Sequence, residues 1–127
     1  MNEQAHQTKI INMIKNNGGW AVNGNFTLAG EPDLQCAVPV KIDNIMYGRR
    51  ETKQILIYVA VEVKDEFNYH RVMDAIDAFY NVVNKKKLKH HEVLQMAKIK
   101  EIRKRGGLAL VAYNYKQIME YVDEETK

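Results

Sequence analysis

Residues 54–64, QILIYVAVEVK, constrain this chain more than any other stretch. The run from Ile55 to Val63 is β-branched, apolar apart from Glu62, and of strand length, the pattern of a strand buried on both faces. Such a strand needs helices packed on its sheet, so the chain is expected to fold as a mixed α/β layer. The run closes in two charges. Residues i and i+2 of a strand share a face, so Glu62 and Lys64 emerge together, where buried charges need partners or a purpose. Val63 points the other way, but its backbone carbonyl stays near the Glu62 carboxylate.

The rest of the chain supplies the other elements. Residues 3–16 read as a helix whose apolar stripe, Ile10 and Ile14, continues at helical spacing through Gln7 and Glu3, with Gly18-Gly19 as its stop. Trp20 to Thr27 reads as strand material with a two-residue hairpin signal at Asn23-Gly24, and a loop from Leu28 to Pro32 leads to a strand from Asp33 to about Val40. Lys41 to Lys53 is polar and irregular, with Gly48-Arg49-Arg50 as an exposed turn. An amphipathic helix is expected from about Asn68 to Asn84, with Val72, Ile76, Phe79 and Val83 on one face. A Lys-rich link, a helix from His90 to Arg105, a Gly106-Gly107 stop, a strand from Leu108 to Tyr113 and a short helix over Lys116–Val122 complete the order α-β-β-β-α-α-β-α.

A length of 127 residues suits one domain, residues 1–127, with a core large enough to need no disulfide. The single cysteine, Cys36, excludes an intrachain disulfide and a cysteine-rich zinc site, and it alternates onto the side of Leu34 and Val38 as a small hydrophobe. No apolar run is long enough to span a bilayer and the start lacks a signal-peptide pattern, so a soluble, intracellular protein without a membrane partner is expected.

The net charge of +3 hides an asymmetry: residues 85–105 carry nine basic and two acidic side chains, +7, leaving −4 for the remainder. A basic segment on a mildly acidic body is expected of a phosphate-backbone binder, with Lys98, Lys100, Arg103 and Lys104 as the contacts. The competing reading is a solvated helix face. His90 and His91, neighbours on a helix, point in different directions and do not suggest a shared metal ion.

Asp33 begins one strand just after Gly30-Glu31-Pro32, and Glu62 lies near the end of the next. If the two strands pair, the carboxylates face each other. Two hard carboxylate oxygens and the Val63 carbonyl satisfy part of a Mg²⁺ octahedron, leaving room for waters and a phosphate oxygen. Lys64 beside them can orient a water or stabilise developing negative charge. Gln95 aligns with Ile99 and Ile102 on the core-facing stripe of its helix, as Glu3 does on its own.

Together, Gly-Glu-Pro-Asp-Leu (30–34), Val61-Glu62-Val63-Lys64 and Gln95 resemble the G-x-P-D…(D/E)-x-K…Q signature of PD-(D/E)xK nucleases, in particular the small phage-type VRR-NUC domain. That resemblance implies a restriction-endonuclease-like αβββαβ core, here with an inserted helix over 68–84 and a short C-terminal helix. It implies Asp33, Glu62 and the Val63 carbonyl as ligands of Mg²⁺ or Mn²⁺, Lys64 as the catalytic lysine, and Glu3 and Gln95 as supporting site residues. The expected activity is metal-dependent hydrolysis of DNA, structure-selective on branched substrates such as flaps or junctions, in a cytoplasmic setting such as a phage-infected host. The alternative is a non-catalytic nucleic-acid-binding or assembly module that keeps the fold. The apolar stripe of the inserted helix needs a cover, and a homodimer across it is expected, with capping of the chain's own core as the competing view.

Overall fold

The apolar run becomes the longest strand of a four-stranded sheet. The computed structural model describes residues 2–23, 32–46 and 48–127, and contains α1 (Glu3–Asn16), β1 (Trp20–Asn23), β2 (Leu34–Met46), β3 (Arg49–Val63), α2 (Glu66–Asp74), α3 (His90–Lys104), β4 (Ala109–Ala112) and α4 (Tyr115–Glu125). The element order is the one read from the sequence. Strand order is β1-β2-β3-β4; the first three strands are antiparallel neighbours and β4 runs parallel to β3.

Alternation along β3 divides the core in two. Val59, Val61 and Val63 pack with Leu34, Cys36, Val38, Leu110 and Ala112 beneath Ile10 and Ile14 of α1 and Ile118 and Val122 of α4. Ala60, Ala109 and Val111, on the opposite face, pack beneath Val72 of α2, Met96 and Ile99 of α3, and Ile76 and Tyr80 of the following segment. Cys36 is fully buried, and burial pushes its thiol up to about 12, so it acts as a small apolar side chain. Gly18 turns the chain out of α1 at φ +88°, and Gly19 lies so close to β2 that a Cβ there would meet the Ala37 carbonyl oxygen at 2.6 Å.

Four expectations are corrected. The polar stretch 41–53 is strand rather than irregular chain: β2 and β3 pair without interruption from Leu34↔Val61 to Met46↔Arg49. A two-stranded ribbon projecting into solvent needs no apolar alternation, and here Thr52 donates to Asp43 at 3.0 Å and Arg50 pairs with Asp43 at 3.7 Å. For the same reason β3 is buried on both faces only from Val59 onward.

The expected helix over 68–84 begins earlier, at Glu66 under an Asp65 cap, and ends at Asp74. The Asp77 carboxylate accepts the N–H groups of Phe79 and Asn81, both at 2.9 Å, and Tyr80 sits at φ 60°. These local bonds compete with the helix and win. The proposed four-residue stripe is thereby split: Val72 and Ile76 fill the chain's own core, while Phe79 is 77% exposed and Val83 lies on the surface. The last helix is longer than expected at both ends: Asn114 and Gln117 cap it reciprocally so that it starts at Tyr115, and it runs on to Glu125. Asn23 pairs with Leu34, so β1's partner is β2; Gly24 of the hairpin signal, the 25–27 strand segment and the Leu28–Glu31 loop lie outside the described residues. No helix among the described residues is long and apolar enough to cross a membrane.

Candidate active site

The register Leu34↔Val61 brings the next pair, Asp33 and Glu62, together at the end of the β2–β3 ladder. The Asp33 N–H donates to Glu62 Oε2 at 3.2 Å, and Asp33 Oδ2 accepts from the Val63 N–H at 3.1 Å. An aspartate side chain thus takes the ladder position that a further backbone carbonyl of β2 would fill. The N–H and C=O of a strand residue point to the same side, so the Val63 carbonyl is directed to the β2 side of the sheet. Gly30 and Glu31 of the sequence signature lie outside the described residues.

Glu62 is 1% exposed and Lys64 4%, unusual burial for two charged side chains. Among the described residues, Glu62 Oε1 is buried without a hydrogen-bond partner. Burial first, and the nearby Asp33 charge second, push the Glu62 carboxyl up to about 9, against the opposing pull of Lys64. The Lys64 ammonium lies 3.7 Å from Glu62 Oε1 and 3.5 Å from Glu92 Oε2, and it donates to Gln95 Oε1 at 3.1 Å. Gln95 therefore arrives at the lysine although 31 positions separate the two.

Glu92 is the site residue that sequence reasoning missed. In the sequence it reads as one of the two acids within the basic run, although it shares the Gln95, Met96 and Ile99 stripe at i, i+3, i+4 and i+7. Arg71 of α2 grips it bidentately, Nη1 to Oε1 at 2.8 Å and Nη2 to Oε2 at 2.7 Å, and the Lys89 N–H donates to Oε1 at 2.8 Å. Burial opposes ionisation of this carboxyl, but the Arg71 and Lys89 hydrogen bonds and the Lys64 charge outweigh it and hold it down at about 2. Arg71 also donates to Asn68 Oδ1 and to the Lys87 carbonyl, which ties α2 and the chain just before α3 to the site.

Glu3, half-buried at the start of α1, lies within electrostatic reach of the same cluster. Burial raises its carboxyl, Lys64 pulls it down, and Asp33, Asp65 and Glu92 add to the rise. Gln7, on the same stripe, donates to Asn23 at 3.0 Å. Tyr69 stacks edge-on against Tyr113 with ring centroids 4.9 Å apart, a packing role at the rim.

The four basic residues singled out on α3 do different jobs. Arg103 donates to the Ala109 carbonyl at 2.7 Å, and its guanidinium lies over the Tyr80 and Tyr121 rings at 4.3 and 4.6 Å from their centroids, so it buttresses the fold. Lys100 donates to Asn81 and Lys98 pairs with Glu101 at 4.0 Å, while Lys104 is exposed.

Among the described residues, no three His, Cys, Asp or Glu side chains gather into a ready-made metal site. The donors here are two carboxylates and a carbonyl, a set that suits a hard cation keeping several waters better than a transition metal held by nitrogen or sulfur. The orphaned Glu62 oxygen fits such an ion, since a cation bound to it would satisfy an acceptor that Lys64, at 3.7 Å, does not reach with a hydrogen bond. No protein-family model, curated protein or solved structure matches the chain.

Proposed function

We propose that the chain is a metal-dependent nuclease of the PD-(D/E)xK type, of restriction-endonuclease-like fold and similar to the small VRR-NUC domain, that hydrolyses DNA phosphodiester bonds on branched substrates. One observation carries the reading: a buried carboxylate with an unsatisfied oxygen, Glu62, stands between a second carboxylate, Asp33, and a buried lysine, Lys64. A purely structural ion pair leaves no oxygen orphaned and needs no second acid beside it.

Asp33, Glu62 and the Val63 carbonyl would hold Mg²⁺ or Mn²⁺. When bound, that ion lowers the pKa of water and neutralises charge on the phosphate. The chain's own residues do the rest. Lys64 presents a fixed positive charge, aimed by Gln95 and Glu92, toward the oxygen on which negative charge develops as water attacks phosphorus. Glu92 is in turn immobilised by Arg71, so the lysine is preorganised by two layers of hydrogen bonds. Glu3 borders the pair as an outer acid. Lys98, Lys100 and Lys104 serve as phosphate contacts away from the reacting centre, and of the expected stripe Phe79 and Val83 remain exposed as an apolar anchor for a homodimer.

Calorimetric titration with Mg²⁺ and Mn²⁺ tests the site directly. One ion should bind per chain in the wild type and none in Asp33→Asn or Glu62→Gln. Equal binding by wild type and both variants would refute it.

A further inference from the structure

Among the described residues, the sheet face that carries Glu62 is covered over β4 and the later part of β3. Helices α2 and α3 bury Ala60, Ala109 and Val111 on that face. On the same face of β1 and the earlier part of β3, Trp20 is 48% exposed and Leu56 and Tyr58 are each 51% exposed. The register places Trp20 opposite Ala37 and Ala37 opposite Tyr58. Two aromatic side chains therefore flank a small residue in one cross-strand row, with backbones about 10 Å apart across two strand spacings.

This row is in line with the candidate site. Tyr58, Ala60 and Glu62 alternate onto one face, so the row lies about 13 Å along the sheet from Glu62. That distance spans roughly four stacked nucleotides at a rise of 3.4 Å, and fewer in an extended strand. The opposite approach to Lys64 is closed by Gln95 and Glu92 of α3 and by Arg71 behind them. A nucleic-acid strand that brings a phosphate to Lys64 therefore comes in over the half of the sheet on which Trp20, Leu56 and Tyr58 are exposed.

The margins of that half are cationic. Lys98 follows Gln95 by three positions on α3 and so shares its flank, and Lys41 lies on the same face of β2, opposite Gln54. An aromatic floor with lysines at its edges is the chemistry that holds an unpaired strand, bases on the rings and phosphates on the cations.

We propose that this half-sheet is a stacking platform for a single-stranded segment of DNA, with Trp20 and Tyr58 each taking a base. The inference rests on the nuclease reading above and narrows its substrate: the scissile phosphate lies beside an unpaired strand rather than within continuous duplex.

Trp20 is the sole tryptophan, so its emission reports on the platform alone. A fluorescein-labelled 12-nucleotide oligo(dT) is titrated in EDTA, which prevents cleavage, with anisotropy and tryptophan emission followed together. Quenching of Trp20 with the same midpoint as the anisotropy rise is expected. Tyr58→Ala and Trp20→Ala should each weaken binding about tenfold, and Trp20→Phe should retain most of it. Circular dichroism of each variant should match the wild type, because these side chains are half in solvent. Binding without quenching, and without loss in Tyr58→Ala, overturns the platform while leaving the nuclease reading intact. Emission that follows protein concentration rather than oligonucleotide also overturns it, since a second copy then covers the face. Absence of any single-strand binding by a chain that still cleaves duplex overturns the platform alone; absence of both binding and metal-dependent cleavage removes the nuclease reading with it.

Discussion

Asp33 and Glu62 are laced to each other across the end of the sheet, the Asp33 N–H on Glu62 Oε2 at 3.2 Å and Asp33 Oδ2 on the N–H that follows Glu62 at 3.1 Å. Two acids are thus held at contact by the backbone itself, with Lys64 as a counter-charge 3.7 Å from Glu62. The arrangement costs folding energy without a cation, which makes the site visible to stability measurements as well as to activity.

The metal-free protein should lose stability as pH rises. The folded state keeps the Glu62 proton up to about 9, whereas the unfolded chain releases it near the ordinary 4.5, so between those values unfolding releases a proton. The contribution is complete below 4.5 and gone above 9. Glu62→Gln should flatten this slope and stabilise the metal-free protein by on the order of 1–3 kcal/mol at pH 7. Urea midpoints across pH 5–9 in EDTA check it. Mg²⁺ at a hundredfold excess over its dissociation constant should stabilise the wild type by about 2.7 kcal/mol and leave Glu62→Gln unmoved.

Glu92 behaves in the opposite sense. Its folded carboxyl is held at about 2, below its ordinary 4.5, so it adds stability above 4.5 that disappears as pH falls toward 2. Arg71→Met removes the bidentate partner and strands a buried carboxylate beside Lys64. It should cost about 2–4 kcal/mol near neutral pH and shrink the acid limb of the stability curve. A loss below 0.5 kcal/mol, a surface-like value, would remove Arg71 from the site's scaffold.

Much of the architecture was legible because the informative residues obey simple periods. The apolar run fixed β3, the 3.6-residue stripes gave α1 and α3, and the i, i+2 rule put Glu62 and Lys64 on one face before any pairing was known. Asp33 was legible from its place after Gly30-Glu31-Pro32, and only the register set it against Glu62. Gln95 was found because a polar group on an apolar stripe is conspicuous; Glu92 was overlooked because charge counting assigned it to the basic run. Arg71 carried no signal of its own, since its role depends on how α2 docks against α3. The end of α2 was hidden in the side-chain bonds of Asp77, and the 41–53 ribbon in its lack of any buried face.

Arg103 and its neighbours should separate cleanly. Arg103→Met should lower stability by about 1–3 kcal/mol, from a charge-assisted hydrogen bond and two ring contacts. Replacing Lys98, Lys100 and Lys104 together with alanine should leave the fold in place and reduce the slope of log K against log[salt] for DNA by about 2 to 3. An unchanged slope would return this helix face to simple solvation.

Phe79→Asp tests the dimer. The side chain is 77% exposed, so the fold should survive within about 0.5 kcal/mol. Light scattering should show a wild-type dimer converted to a folded monomer. A monomeric wild type ends the dimer proposal.

The most direct measurement is cleavage of end-labelled flap, splayed-arm, four-way-junction and linear DNAs by wild type and Lys64→Ala, each with Mg²⁺, Mn²⁺ or EDTA. Wild type should cut at least one branched substrate in the presence of either ion and none in EDTA, while Lys64→Ala should lose about 10²–10³-fold in rate, as expected for removal of one preorganised charge from a reacting centre. No cleavage of any substrate by the wild type, or equal cleavage by Lys64→Ala, would contradict the assignment of Asp33, Glu62 and Lys64 as a nuclease active site.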